Sequence, residues 1–202
     1  MITSHIHSFT PVLKKYLEIN KVFLTKWNNK DCPWFYGERS NIGILAASVW
    51  KVGGIALEEY NFDKSMKDGR RKQKYIGRND LYFKIGGKHY IAEAKHFAMQ
   101  YPRKNYEQLM KARFNAALED ARLVDISNCT CTRLGILFVV PRIRHSHKEH
   151  FYDYLEKIKK EASALRHDAI AWTFPKVPSP IIHSGNNDLY PGKIIIIKRV
   201  SG

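Results

Sequence analysis

Residues 77–95, GRNDLYFKIGGKHYIAEAK, leave this chain few ways to fold. Gly86 and Gly87 separate two runs rich in β-branched and aromatic residues, 79–85 and 89–95, and adjacent glycines permit φ > 0 at both centres of a two-residue turn. The spacing predicts a β-hairpin. Side chains alternate along a strand, so Ile91, Glu93 and Lys95 share one face and Tyr90, Ala92 and Ala94 the other. With about 3.3 Å of rise per residue, Glu93 and Lys95 stand roughly 7 Å apart at their Cα atoms. The hairpin returns Asp80, at the start of its first arm, to the neighbourhood of both.

Two carboxylates and an ammonium converging in this way suit hard-cation chemistry. Mg²⁺ takes oxygen ligands at about 2.0–2.1 Å, commonly one or two carboxylates with water and substrate phosphate completing the shell. Asp80 and Glu93 supply the carboxylates, and the Ala94 carbonyl offers a further oxygen. Lys95 is placed to orient a water or to stabilise developing negative charge. Charged residues also alternate on ordinary exposed strands, so the pattern needs its context.

That context is a resemblance. Asp80, then Glu93-Ala94-Lys95 across a tight hairpin, resembles the signature of the PD-(D/E)XK, or restriction-endonuclease-like, nuclease superfamily. The resemblance implies an α/β core of a helix, three antiparallel strands, a second helix and a fourth strand. Residues 38–141 can be read in that order, between an N-terminal extension at 1–37 and a C-terminal helix and strands at 142–202. It further implies a nuclease that uses Mg²⁺, with Mn²⁺ as a substitute, and Asp80, Glu93, Lys95 and an assisting acid as its catalytic groups. Asn79 departs from the pattern, standing where the family name places proline.

Composition supports a polyanionic partner. The 202 residues carry a formal charge of +15, and lysine and arginine replace the counterions condensed on nucleic acid. Double-stranded DNA is the expected partner. Three cysteines, Cys32, Cys129 and Cys131, make no even disulfide framework and fit a reducing cytoplasm. Neither a secretion signal nor an apolar run of 18 residues is evident, so no membrane is expected.

In the N-terminal extension, Thr10 reads as an N-cap with Pro11 at the first helical position, and Leu13, Tyr16 and Leu17 share a face. Residues 31–37 form a turn-rich aromatic segment expected to pack beneath the core. From 38 to 52 the apolar positions Ile42, Leu45, Ala46, Val49 and Trp50 predict the first core helix, ended by Gly53-Gly54. Glu38 lies four residues before Ile42, in phase with the stripe, and is the candidate assisting acid. It equally suits the helix N-terminal dipole.

Residues 55–62 predict a strand in which Glu58 and Glu59 point to opposite faces, so either is an alternative to Glu38. Residues 64–78 are expected to be a loop, with Gly69 and Gly77 as breakers. Its Lys64, Lys67, Arg70, Arg71, Lys72, Lys74 and Arg78 either clamp a phosphate backbone or simply face water. A long helix over 103–124 should cover the sheet, with Gln108 and Lys111 on another of its faces; the resemblance makes these two accessory candidates, and an ordinary polar face also accounts for them. The apolar run 134–141 predicts a buried central strand stopped by Pro141.

Beyond it, Ser146 and Glu149 read as a capping box opening a helix with Phe151, Leu155, Ile158, Ala162 and Leu165 on its buried stripe. The histidines His145, His147 and His150 are a weak candidate metal cluster, and Arg142 and Arg144 candidate phosphate contacts. Residues 169–174 predict a strand, 175–192 a proline-rich loop, and 193–200 a last strand that either extends the sheet or pairs with a second copy in a homodimer. The functional expectation is a metal-dependent DNA endonuclease. Its rivals are a nucleic-acid-binding protein that keeps the fold without turnover, and an RNA-directed nuclease.

Overall fold

The computed structural model describes residues 1–68, 71–101, 103–174, 182–183 and 188–201, with the side chains at 66–68, 71–74 and 182–183 excepted. Within these residues the chain is mixed α/β, a mostly antiparallel nine-stranded sheet with helices on both faces. The strand order is β1-β6-β9-β5-β4-β3-β2, with the short β7 and β8 attached beside β5. No helix among the described residues is long and apolar enough to cross a membrane.

After β1 (Ile2–Ser4), α1 spans Phe9–Lys26 and buries Val12, Leu13, Tyr16, Asn20 and Leu24. It begins before the expected Thr10 cap, and no side chain caps it. Pro11 is still tolerated, because the first four helical N–H groups have no intrahelical partner to lose. A 3₁₀ turn over Pro33–Tyr36 buries Trp34 completely, so the aromatic segment packs inward in part, while Tyr36 stays exposed. The helix α2 (Gly37–Lys51) follows, burying Ile42, Ile44, Leu45, Ala46 and Val49. Trp50, expected on that stripe, is instead exposed.

The strands β2 (Ile55–Asp68), β3 (Arg71–Ile85) and β4 (Lys88–Tyr101) form an antiparallel meander. The turn between β3 and β4 is at Gly86 and Gly87, both at positive φ, as a two-residue hairpin requires. The expected loop over 64–78 is corrected here. β2 and β3 stay in register to Asp68↔Arg71, so the basic run belongs to a long two-stranded arm. Gly77 does not break that arm. A Cβ there would come within 2.6 Å of Lys64 Cδ, so glycine makes room for the Lys64 stem.

The helix α3 (Tyr106–Leu123) leads to β5 (Cys131–Arg144), which runs parallel to β4. Pro141 does not end β5. Pairing with β9 (Lys193–Val200) reaches only Val139, and pairing with β8 (Asp188–Leu189) begins at Ile143, so the proline falls between two partners. The capping box is also corrected: Ser146 and Glu149 lie inside a 3₁₀ turn over His145–His150, and α4 starts only at Phe151 and runs to Ala164. Its buried residues are Tyr154, Leu155, Ile158 and Ala162.

The strand β6 (Ala169–Thr173) pairs with β1 and β9. In the expected proline-rich loop, β7 (Ile182–His183) and β8 form a short antiparallel pair, and the rest of 175–187 lies outside the described residues. β9 sits between β5 and β6, inside the sheet, so it presents no free edge to a second copy. One core packs α1 and α2 on the face carrying Leu81, Phe83, Ala92 and Ala94. A second packs α3 and α4 on the face carrying Phe97, Met99, Leu137 and Val139. Between residues 37 and 144 the element order is therefore helix, three antiparallel strands, helix, parallel strand.

Candidate active site

The candidate residues gather where the sheet forks. β3 and β4 pair only through Leu81↔Ala92, after which β4 continues against β5 alone and β3 leaves with β2. Asp80 and Glu93 are the next positions in that register, one on each prong. Leaving a strand edge inside a protein exposes backbone donors that must be satisfied. Here carboxylates do it. Asp80 Oδ2 accepts from the Ala94 N–H at 2.7 Å, and Glu38, at the start of α2, accepts from the His96 N–H. In an extended residue the N–H and C=O point to the same edge, so the Ala94 carbonyl also faces the fork.

The electrostatics reflect crowding of acids in a partly closed space. Burial pushes the Glu93 carboxyl up to about 7, the Lys64 hydrogen bond pulling it back and the neighbouring Asp80 charge adding to the rise. Asp80 is raised by burial, against the Ala94 N–H, Lys95 and Lys64. Glu38 is raised by burial and then by Asp80. Burial alone would lower the Lys95 ammonium, yet the hydrogen bond it donates to Asp120 and the charges of Asp120, Glu38 and Asp80 leave it raised.

Four of the expected residues, Glu38, Asp80, Glu93 and Lys95, therefore share one electrostatic site. Glu59 stands at the rim: it sits at φ 55 opposite Asp80, its charge adds to the rise of the Asp80 carboxyl, and it forms ion pairs with Arg39 and Arg78. The Glu58 carboxylate lies toward Gly43 of α2 instead.

The basic run divides. Lys64 is buried, and its Nζ donates to Glu93 Oε1 at 2.7 Å and to the Arg78 carbonyl at 2.8 Å. It is not the surface phosphate contact expected of it, because the arm turns it inward across Gly77. Arg78 is exposed beside the fork. Lys67, Arg71, Lys72 and Lys74 lie on β2 and β3 with side chains outside the described residues, and Arg70 is outside them altogether.

On α3, Gln108 and Lys111 are exposed, and it is Asp120 that reaches the site, with Oδ2 2.6 Å from Lys95 Nζ. Lys111 is nine residues from Asp120, about 180° round a helix at 100° per residue. Arg113 acts on Glu38 from the same helix. Asp120 precedes Ala121 on the flank of the buried stripe, and that adjacency was the signal available in the sequence.

Asn79, where the resemblance places proline, is fully buried, and its amide has no hydrogen-bond partner among the described residues. Cys131 hydrogen-bonds with Cys129, and burial pushes its thiol up to about 12. Arg142 is committed to an ion pair with Asp188. Among the described residues no three His, Cys, Asp or Glu side chains form a ready metal-binding group, the histidines at 145–150 included.

No family model, curated protein or solved structure matches this chain.

The oxygens of the site come from Glu38, Asp80, Glu93 and the Ala94 carbonyl, all hard donors of the kind Mg²⁺ and Mn²⁺ prefer. The raised carboxyls of Glu38, Asp80 and Glu93 would each gain from an added cation. Lys64 now supplies that positive charge at Glu93.

Proposed function

We propose that the chain is a divalent-metal-dependent nuclease of the restriction-endonuclease-like, PD-(D/E)XK type, hydrolysing phosphodiester bonds of duplex DNA as an endonuclease. The convergence of Glu38, Asp80, Glu93 and Lys95 at the β3–β4 fork carries this reading. The order of helix, three antiparallel strands, helix and parallel strand supports the fold type, and the +15 charge supports a polyanionic substrate. A cytoplasmic setting, and paired copies for cutting both strands, belong to the same proposal.

Asp80, Glu93 and the Ala94 carbonyl would hold magnesium, or manganese in its place. Such an ion, when bound, lowers the pKa of a coordinated water and offsets phosphate charge. Lys95, kept charged by Asp120, orients the attacking water and takes up negative charge developing on the phosphate. Glu38, held at the His96 N–H and coupled to Asp80 and Lys95, helps orient that water. Arg39 and Arg78, exposed and bridged by Glu59, meet the DNA backbone at the mouth.

The test is supercoiled plasmid incubated with Mg²⁺ or Mn²⁺ and again with EDTA. Nicking with metal and none with EDTA is the expected result. One observation favours a second reading, a nucleic-acid-binding protein without turnover: Glu93 and Lys95 are already ion-paired inside the protein, by Lys64 and Asp120. Retardation of the plasmid without metal-dependent nicking would select it. RNA incubated in parallel separates an RNA-directed nuclease.

A further inference from the structure

Lys64 belongs to the arm, yet its charge is spent at the fork. Its backbone bridges to Val124 just past α3, and the adjacent Asp63 carbonyl accepts from the Asp125 N–H at 2.8 Å. From there the side chain runs over Gly77, where no Cβ obstructs it, and places Nζ on Glu93. The pair is enclosed, with side-chain exposures of 11% for Lys64 and 5% for Glu93. An ammonium so placed does for Glu93 what a bound cation would do, and two cations cannot crowd one carboxylate without mutual repulsion.

We infer that Lys64 is a latch between the arm and the metal site: its ammonium and a divalent ion compete for Glu93, so that metal entry releases Lys64, and with it the base of the arm, to the substrate phosphate. This rests on the metal-dependent reading above and adds a regulation of that site. It explains why a lysine in a basic run is turned away from solvent and onto Glu93. The released lysine then adds one phosphate contact only when the ion is present, coupling DNA grip to readiness for cleavage.

The experiment uses the full chain and needs no turnover. Mn²⁺ binding is measured by calorimetry for the native protein and for Lys64→Met, which keeps the length of the stem and removes the charge. Amide hydrogen exchange across residues 62–66 and 75–79 of the native protein is followed with and without Mn²⁺. The latch requires Lys64→Met to bind Mn²⁺ on the order of tenfold more tightly, the scale set by removing one adjacent charge. It also requires those amides to exchange faster when Mn²⁺ is bound to the native protein. Equal or weaker Mn²⁺ binding by Lys64→Met overturns the latch while leaving the metal site standing. Should Lys64→Met fail to fold, the native exchange experiment decides alone, unchanged protection at bound Mn²⁺ overturning the latch. Absence of Mn²⁺ binding by both proteins overturns the metal reading and the latch together.

Discussion

Lys95 Nζ lies 2.6 Å from Asp120 Oδ2, a contact between β4 and α3 that favours the charged form of the lysine in the proposed site. Burial works against the ammonium, and Asp120, Glu38 and Asp80 outweigh it, so the group titrates above its ordinary value. A raised lysine is charged at every pH below that value, which makes Lys95 a donor and a source of charge, never a base near neutrality. Lys95→Ala is expected to reduce metal-dependent nicking by at least about 100-fold, the usual scale for losing one transition-state donor. Lys95→Arg should keep a measurable fraction. Plasmid nicking from pH 6 to 9 should show no alkaline loss assignable to Lys95.

The acids at the fork are predicted to differ sharply in importance. Asp80→Ala removes both a proposed metal oxygen and the acceptor of the Ala94 N–H, and should abolish nicking. Glu38→Gln should lower it by about 10- to 100-fold, since that carboxyl is coupled to Asp80 and Lys95. Glu59→Gln should change it less than about threefold, because an exposed pair with Arg39 and Arg78 is worth little. Equal losses for Glu38→Gln and Glu59→Gln, measured side by side, would contradict this ranking.

Which parts of this were legible in the sequence follows from how far apart the cooperating residues lie. The Gly86-Gly87 turn, the apolar run that became β5 and the periodicity of α2 are local signals, and Asp80 with Glu93 and Lys95 needed only one hairpin to bring them together. The arm was not legible, because a basic ladder exposed to water has the composition of a loop. Lys64–Glu93 and Lys95–Asp120 were hidden for another reason: each joins elements whose relative placement is set by packing of the whole sheet. Pro141 misled because a proline's missing N–H matters only where a partner strand waits for it.

Lys193 offers a prediction about stability. It is 1% exposed, donates to Asn41 Oδ1 at 2.6 Å and lies over the Tyr16 ring at 4.3 Å, with burial holding its pKa well below the ordinary lysine value. A lysine depressed on folding costs nothing above its unfolded pKa of about 10.4, and costs progressively more as pH falls below that. Lys193→Met should therefore stabilise the fold at pH 7, by about 1–4 kcal/mol on the scale for replacing buried charge with apolar bulk. That advantage should shrink as pH approaches 11. Denaturant melts at pH 7 and above pH 10 check both the sign and the trend.

At Gly135 the helix α3 packs directly on β5. A Cβ there would stand 2.5 Å from Leu118 Cδ2 and 3.0 Å from the Leu118 backbone nitrogen, so relief requires moving the helix as well as a side chain. Gly135→Ala should cost about 1–3 kcal/mol, typical of overpacking, and lower the melting temperature accordingly. Because Asp120 rides on the same helix, nicking should fall as well, even under conditions where the variant remains folded. Thermal melts and plasmid nicking on one preparation provide both readings.

The position of β9 has a consequence for biogenesis. It follows β5 and β6 in the chain but lies between them in space, so a nascent chain still on the ribosome holds two strands with a slot where the third belongs. Until 193–200 emerge, β5 and β6 present sticky edges of the kind that recruit neighbouring polypeptides. Four successive isoleucines fill that slot and are buried there, which makes its closure hard to reverse once they arrive. Translation pausing before these residues would lengthen the vulnerable interval, and chaperone dependence should be concentrated there.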